Sequence, residues 1–276
     1  MAKLQVKRDI KLDVLGGGTF SKFMQALNNL IRIPHNNFYL NVKDNRFINN
    51  NNNLFDEIFL QKKMHSYETI QSKNFGDFSN LNPIEKTKDF INLRTVIKKL
   101  IFKKNIISDI NFLEKKLKIS TKTVGIHIRL TDMNLLHADD YGGIFTFDHY
   151  LRVINSLDHQ ENFFVASDNH ESILKLKNIF GDRISYVSDF LRGDYEKDNT
   201  LNIQLTKSFQ KRLWVESFKE MLLLSKCKIL ICRTSNLSNA SILYGNFNRV
   251  IRIDKASSFN IKKHKFKLRV KRIFDY

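Results

Sequence analysis

Near the middle of the chain, His127, Arg129 and Asp132 fall close together in the stretch VGIHIRLTDMN, residues 124–134. A guanidinium offers a planar fork of donors that matches phosphate oxygens, an imidazole can orient a group or move a proton, and a carboxylate can accept one. Together they could act on an anionic substrate. Val124, Gly125, Ile126 and Ile128 suit a buried β-strand, His127 and Arg129 interrupt it, and Asp132 follows its end. Taken alone, this stretch also fits an ordinary strand with polar outer residues.

The surrounding elements decide between these readings. TVGIHIRL reads as strand, TFDHYLRVINSL as helix with Phe147, Tyr150, Leu151 and Ile154 inward, NFFVAS as strand and NHESILKLKNIF as helix. ISYVS then reads as a short strand, WVESFKEMLLLSKC as helix, KILICR as strand, LSNASILYG as helix and RVIRID as strand. Such alternation predicts right-handed crossovers and a parallel sheet covered on both faces. Sheets of this kind bind ligands beyond the carboxyl ends of their strands, with anionic groups near helix N-termini. Those ends carry Arg129, Thr131 and Asp132; Ser167, Asp168 and Asn169; Ser188 and Asp189; and Arg233, Thr234, Ser235 and Asn236. Singly, each fits a helix cap or a turn. Four strands delivering polar groups to one edge fit a site.

The rest of the chain bounds the class. At 276 residues it suits one large domain or two of ordinary size, and 42% hydrophobic residues with 23 Phe exclude disorder. A net charge of +18 fits a nucleic-acid binder, a protein resting on anionic lipid, or an enzyme of phosphorylated substrates. Cys227 and Cys232 lie close together, which points to a reducing compartment rather than a disulfide framework. The N-terminal stretch carries charges throughout and no apolar run reaches membrane-spanning length, so a cytoplasmic protein is expected.

In the first half, LDVLGGGTFSKFMQALNNLI reads as strand, glycine turn and helix with Phe20, Phe23, Met24 and Leu27 on one side. RFINNNNNLF is expected to be a surface loop. Residues 86–104 form an amphipathic basic helix with Phe90, Leu93, Ile97 and Leu100 inward, and residues 105–121 are the expected boundary or crossover. The basic stretch at residues 261–272 suits an edge strand or a peripheral contact with anionic lipid at the inner membrane face.

VGIHIRLTD resembles the His-x-Arg motif that opens the nucleotide-binding domain of the fucosyltransferase superfamily, which includes α1,6-, nodulation, α1,2- and protein O-fucosyltransferases. FFVASDN resembles the second motif of that superfamily and WVESFKEMLLLSKCKILICRTSNLSNASIL the third, in matching order across residues 122–254. LGGGTFSKFMQAL is similar to the glycine-rich loop and helix that start the acceptor domain. The resemblance implies an α/β, GT-B-like fold of two Rossmann-like domains with parallel sheets facing a cleft, divided here as residues 1–120 and 121–276. It further implies GDP-fucose as donor, inversion at the anomeric carbon, no divalent metal and no cofactor. Mapped residue by residue, it makes Arg129 the essential phosphate-binding group, with His127 contacting the nucleotide or orienting the site. Asp168 would hold the guanine, Thr234, Ser235 and Asn236 would serve the diphosphate, and Gly16, Gly17 and Gly18 would let the backbone approach the cleft.

Departures from the motif narrow what carries over. Leu130 stands where many relatives have a second arginine, and His137, beside Asp139 and Asp140, stands where α1,6 enzymes carry a catalytic glutamate. Asp132 and Asp140 are the candidates for general base. The acceptor would be a glycan or lipid-linked oligosaccharide. Two alternatives stand beside this: the same fold with another nucleotide sugar, as in rhamnosyl- or mannosyl-type transfer, and a basic nucleic-acid-binding protein with a coincidental sheet.

Overall fold

The computed structural model describes residues 8–14, 19–33, 35–42, 53–62, 66–72, 87–130, 145–157, 161–192 and 207–254. The N-terminal half holds β1 (Arg8–Val14), α1 (Thr19–Leu30), β2 (His35–Val42), α2 (Phe55–Ile58), β3 (Glu68–Gln71), α3 (Lys88–Lys99) and α4 (Lys104–Lys116). β1 lies between β2 and β3 in a parallel sheet. Ile10, Leu12 and Val14 are buried along β1, and Phe20, Phe23, Met24 and Leu27 of α1 are buried as their helical spacing predicts. Thr87 caps α3 by accepting from the Phe90 N–H, and Phe90, Leu93 and Ile97 turn inward.

Residues 105–121, expected as a boundary or crossover, hold most of α4, whose inward face carries Ile106 and Ile110. Of the stretch expected as a surface loop, residues 46–52 lie outside the described residues; Asn53, at the end of the asparagine run, is buried, and its amide donates to the Leu40 carbonyl at 2.5 Å and accepts from the Val42 and Phe55 N–H groups. An asparagine side chain thus does for β2 what a neighbouring strand would do.

The second half alternates as expected: β4 (Val124–Ile128), α5 (Phe147–Asn155), β5 (Phe163–Ser167), α6 (His170–Phe180), β6 (Ile184–Ser185), α7 (Lys207–Leu224), β7 (Ile229–Cys232), α8 (Asn236–Tyr244) and β8 (Arg249–Arg252). β6 is shorter than ISYVS predicts, and α7 begins at Lys207, ahead of Trp214. All five strands are parallel, in the order β6-β5-β4-β7-β8.

Strand alternation sorts the residues of this sheet between two cores. Val124, Ile126, Ile128, Phe163, Val165 and Ile231 meet Tyr150, Ile154, Ile173 and Leu176 of α5 and α6 on one face. On the other, Phe164, Ala166, Leu230 and Cys232 lie under α7 and α8 in a core that continues through Phe20, Phe23, Phe55 and Phe59 of the N-terminal half. The Phe218 ring of α7 sits 4.8 Å from that of Phe20 and 4.9 Å from that of Phe23. Trp214 belongs to this core. Gly125 lets α7 close on β4: a Cβ there would stand 3.1 Å from Leu224 Cδ2 and 3.2 Å from Cys227 Sγ. Cys227 and Cys232 are both buried free thiols.

Candidate active site at the switch point of the larger sheet

The strand order places the site. From β4 the chain winds outward through β5 and β6, then returns to set β7 on the opposite side of β4. Where a parallel sheet reverses direction like this, the connections leaving the two central strands diverge and open a crevice at their carboxyl ends. Arg129 stands just past β4, and Arg233 to Asn236 just past β7. His127 and Cys232 are register partners at that point.

Arg129 is half-buried, and its Nε lies 3.2 Å from Asp168 Oδ2 at the end of β5, while its backbone N–H donates to the Tyr150 hydroxyl at 3.3 Å. One arginine is therefore held by a carboxylate on one side and a helix side chain on the other. Asp168, which the resemblance assigns to the guanine, here braces Arg129. Asn169, rather than Asp168, caps α6 by accepting from the Ser172 N–H.

His127 points the other way, into the core face. Its Nδ1 lies 2.7 Å from Ser238 Oγ and 3.4 Å from Ser235 Oγ. Burial, with a smaller push from the Arg129 cation, drives its pKa down to about 3. A neutral ring behind Arg129 adds no competing positive charge inside the sheet. Ser235 caps α8 by accepting from the Ser238 N–H at 3.1 Å, and it donates to Ser238 Oγ. Asn236 is the first residue of α8, so its amide lies at the positive end of that helix.

The loop after β7 is fastened from behind by β8. Thr234 Oγ1 accepts from Arg252 Nη1 at 2.8 Å, the other Arg252 nitrogen donates to Asn239 Oδ1 at 2.9 Å, and the Thr234 N–H donates to Asp254 Oδ2 at 2.8 Å. Because it accepts from Arg252, the Thr234 hydroxyl keeps its own O–H to donate. Arg233 is fully buried, with its guanidinium 4.7 Å from the Phe145 ring centre.

Spacing in the sequence does not single out Arg192, yet it ties the site together. It is half-buried, but its side chain is almost wholly covered: Nη1 donates to the Ser167 carbonyl at 2.5 Å and to Glu220 Oε1 at 2.8 Å, and Nη2 to the Val187 carbonyl at 3.1 Å. Burial raises the Glu220 pKa despite the opposing pull of Arg192. Glu216 is buried and accepts from the Leu191 N–H at 2.7 Å and from Arg212 Nε at 2.6 Å. Of the other residues proposed from sequence, Gly16, Gly17, Gly18, Asp132, His137, Asp139 and Asp140 lie outside the described residues, as does the basic stretch 261–272. Among the described residues, no group of three or more His, Cys, Asp or Glu is placed to hold a metal ion.

No protein-family model matches the chain, and no curated protein is a significant match. Solved structures do match. The crystal structure of NodZ α1,6-fucosyltransferase co-crystallized with GDP shares 13% identity over 87% of this chain and 93% of its own, with a TM-score of 0.51. That of the fucosyltransferase NodZ from Bradyrhizobium shares 12% over 91% and 97%, also at 0.51. The fold is the GT-B-like fold of these fucosyltransferases. In terms of that fold, both sheets are present, and the adjacent strands β4 and β7 of the larger one carry Arg129 and the Arg233–Asn236 loop at their carboxyl ends.

Proposed function

We propose that the chain is a fucosyltransferase-like enzyme that moves fucose from GDP-fucose to a glycan hydroxyl with inversion and without a divalent metal. The observation that carries this reading is Arg129, braced by Asp168 just past β4, beside the capped loop Arg233–Asn236 that follows the adjacent strand β7, on a fold shared with an enzyme crystallized with GDP.

In the reaction, the acceptor hydroxyl oxygen attacks the anomeric carbon as the bond from that carbon to the β-phosphate oxygen breaks. Negative charge grows on the departing GDP. Arg129, the Thr234 hydroxyl and the amides opening α8 are the fixed donors that meet it. Fixed donors cost little reorganisation at the moment of transfer, and Asp168 with Tyr150 supplies that fixity for Arg129. Asp132 or Asp140 takes the acceptor proton. Residues 121–276 form the nucleotide-sugar-binding domain and residues 1–120 the acceptor side, where Gly17 and Gly18 admit the backbone to the cleft. The acceptor is a glycan or lipid-linked oligosaccharide, met at the cytoplasmic face of the membrane.

Isothermal titration with GDP, GDP-fucose, GDP-mannose and UDP in chelator-containing buffer tests the proposal. Selective binding of guanine nucleotides is expected, with the sugar arms separating fucose from mannose donors. Absence of binding, or equal binding of UDP, overturns it.

A further inference from the structure

The face of α4 that turns away from the core carries apolar residues and lysines side by side. Ile106 and Ile110 point into the protein, whereas Phe112 is 64% exposed and Ile107 is also exposed. The segment leading into α4 repeats the pattern. Residues 58–60 and 101–103 pair through the Leu60 N–H to the Ile101 carbonyl at 2.7 Å and the Lys103 N–H to the Ile58 carbonyl at 2.9 Å, around a Phe59–Phe102 bridge. Phe59 and Phe102 therefore go inward, while Leu60 (65% exposed) and Ile101 (61%) stand together outside.

Charge is distributed on this face with one sign. Lys104, Lys115 and Lys116 of α4, and Lys62 two residues after Leu60, are exposed. The acidic residues of α4 are each held by a lysine, one in α7 and one in the turn after it: Asp109 Oδ2 lies 2.5 Å from Lys219 Nζ and Glu114 Oε2 lies 3.1 Å from Lys226 Nζ. The start of the helix shows that these cations are kept against local preference. Lys103 occupies the N-cap without a capping bond, Lys104 follows, and the first turn has no acidic residue, although a helix N-terminus disfavours positive charge.

We propose that this face docks on an anionic lipid bilayer, with Leu60, Ile101, Ile107 and Phe112 entering the boundary between headgroups and acyl chains and the lysines meeting the headgroup anions. Separate apolar tips on a lysine-rich surface suit the soft interface of a membrane, where long basic side chains lay their stems along the apolar layer. A protein partner fits less well, because the centres of protein interfaces are depleted in lysine. A nucleic acid would want stacking platforms, and Phe112 is the sole exposed aromatic of α4. The inference rests on this surface alone and not on the transferase reading.

The test is flotation of the full chain with vesicles of phosphatidylcholine, with and without phosphatidylserine, comparing wild type with Ile101→Asp/Phe112→Asp and Lys104→Glu/Lys115→Glu. All four positions are exposed, so circular dichroism and melting of the variants should match wild type. Wild type is expected to float with the phosphatidylserine vesicles only, and each double variant to lose about tenfold or more in partition. Phe112→Trp adds an exposed reporter, expected to shift to the blue on those vesicles. Partition of the Asp double variant equal to wild type would overturn the proposal, assigning any binding to the diffuse charge of the chain. So would a dimer in solution that the same substitutions dissociate, which would assign the face to a second copy.

Discussion

Arg129 and Asp168, each just beyond the end of one of two adjacent parallel strands, meet as an ion pair with Nε 3.2 Å from Oδ2. The pair leaves the arginine half-exposed while fixing its direction. Arg129→Ala is expected to lower transfer from the GDP-sugar by about 10²- to 10³-fold, the usual loss for one fixed donor to a developing anion. Its melting temperature should fall modestly, since no core contact is removed but Asp168, only 12% exposed, loses the Arg129 guanidinium. Steady-state kinetics beside a thermal melt separate the two effects, and a folded variant with full activity would remove Arg129 from the site.

His127 makes stability sensitive to acid. Its folded pKa, pushed down to about 3, lies below the ordinary 6.5, so between those values the unfolded chain binds a proton that the folded chain refuses. The contribution is complete above the unfolded value and is lost as pH falls toward the folded one, with a slope of at most about 1.4 kcal/mol per pH unit. Urea unfolding at about pH 7 and about pH 4.5 should show a shallower loss for His127→Gln than for wild type. Equal losses would assign the acid sensitivity to other groups.

The Arg192–Glu220 pair predicts strong non-additivity. Arg192→Met or Glu220→Leu alone strands a buried charge and should destabilise by about 3–5 kcal/mol, whereas the double substitution should recover most of that loss. A double-mutant cycle from denaturant midpoints reads the coupling. Additive losses would mean that the two side chains act independently.

Gly125→Ala tests how tightly α7 sits on β4. The added methyl would stand 3.1 to 3.3 Å from Leu224 and Cys227 atoms, and a loss of about 1–3 kcal/mol is expected from overpacking. Thermal denaturation measures it, and an unchanged melting temperature would show that α7 can shift without cost.

The second half was legible because its strands are short apolar runs and its helices carry apolar residues at helical spacing. Such runs suit strands covered on both faces, and FFVAS is buried at every residue and ILIC at all but its first. β2 was not legible. HNNFYLNV is mostly polar, and side chains of Asn53 and Gln61 bond its backbone where a hydrophobic pattern would have announced a neighbour. Polar residues at strand ends marked Arg129, Asp168 and Ser235. Arg192 escaped because two of its partners are backbone carbonyls, which leave no trace in residue type, and the third, Glu220, is 28 residues away. Arg252 carried a weak signal, a cation inside the otherwise apolar VIRI.

The core shared by the two halves has a consequence for synthesis on the ribosome. Phe20, Phe23, Phe55, Phe59 and Phe102 emerge early, whereas Phe218, which touches three of them, emerges more than a hundred residues later. At about 5–20 residues per second, that phenylalanine cluster waits on the order of 5–20 s without its cover. The N-terminal half therefore completes the cover of that cluster only when the last third of the chain has been translated.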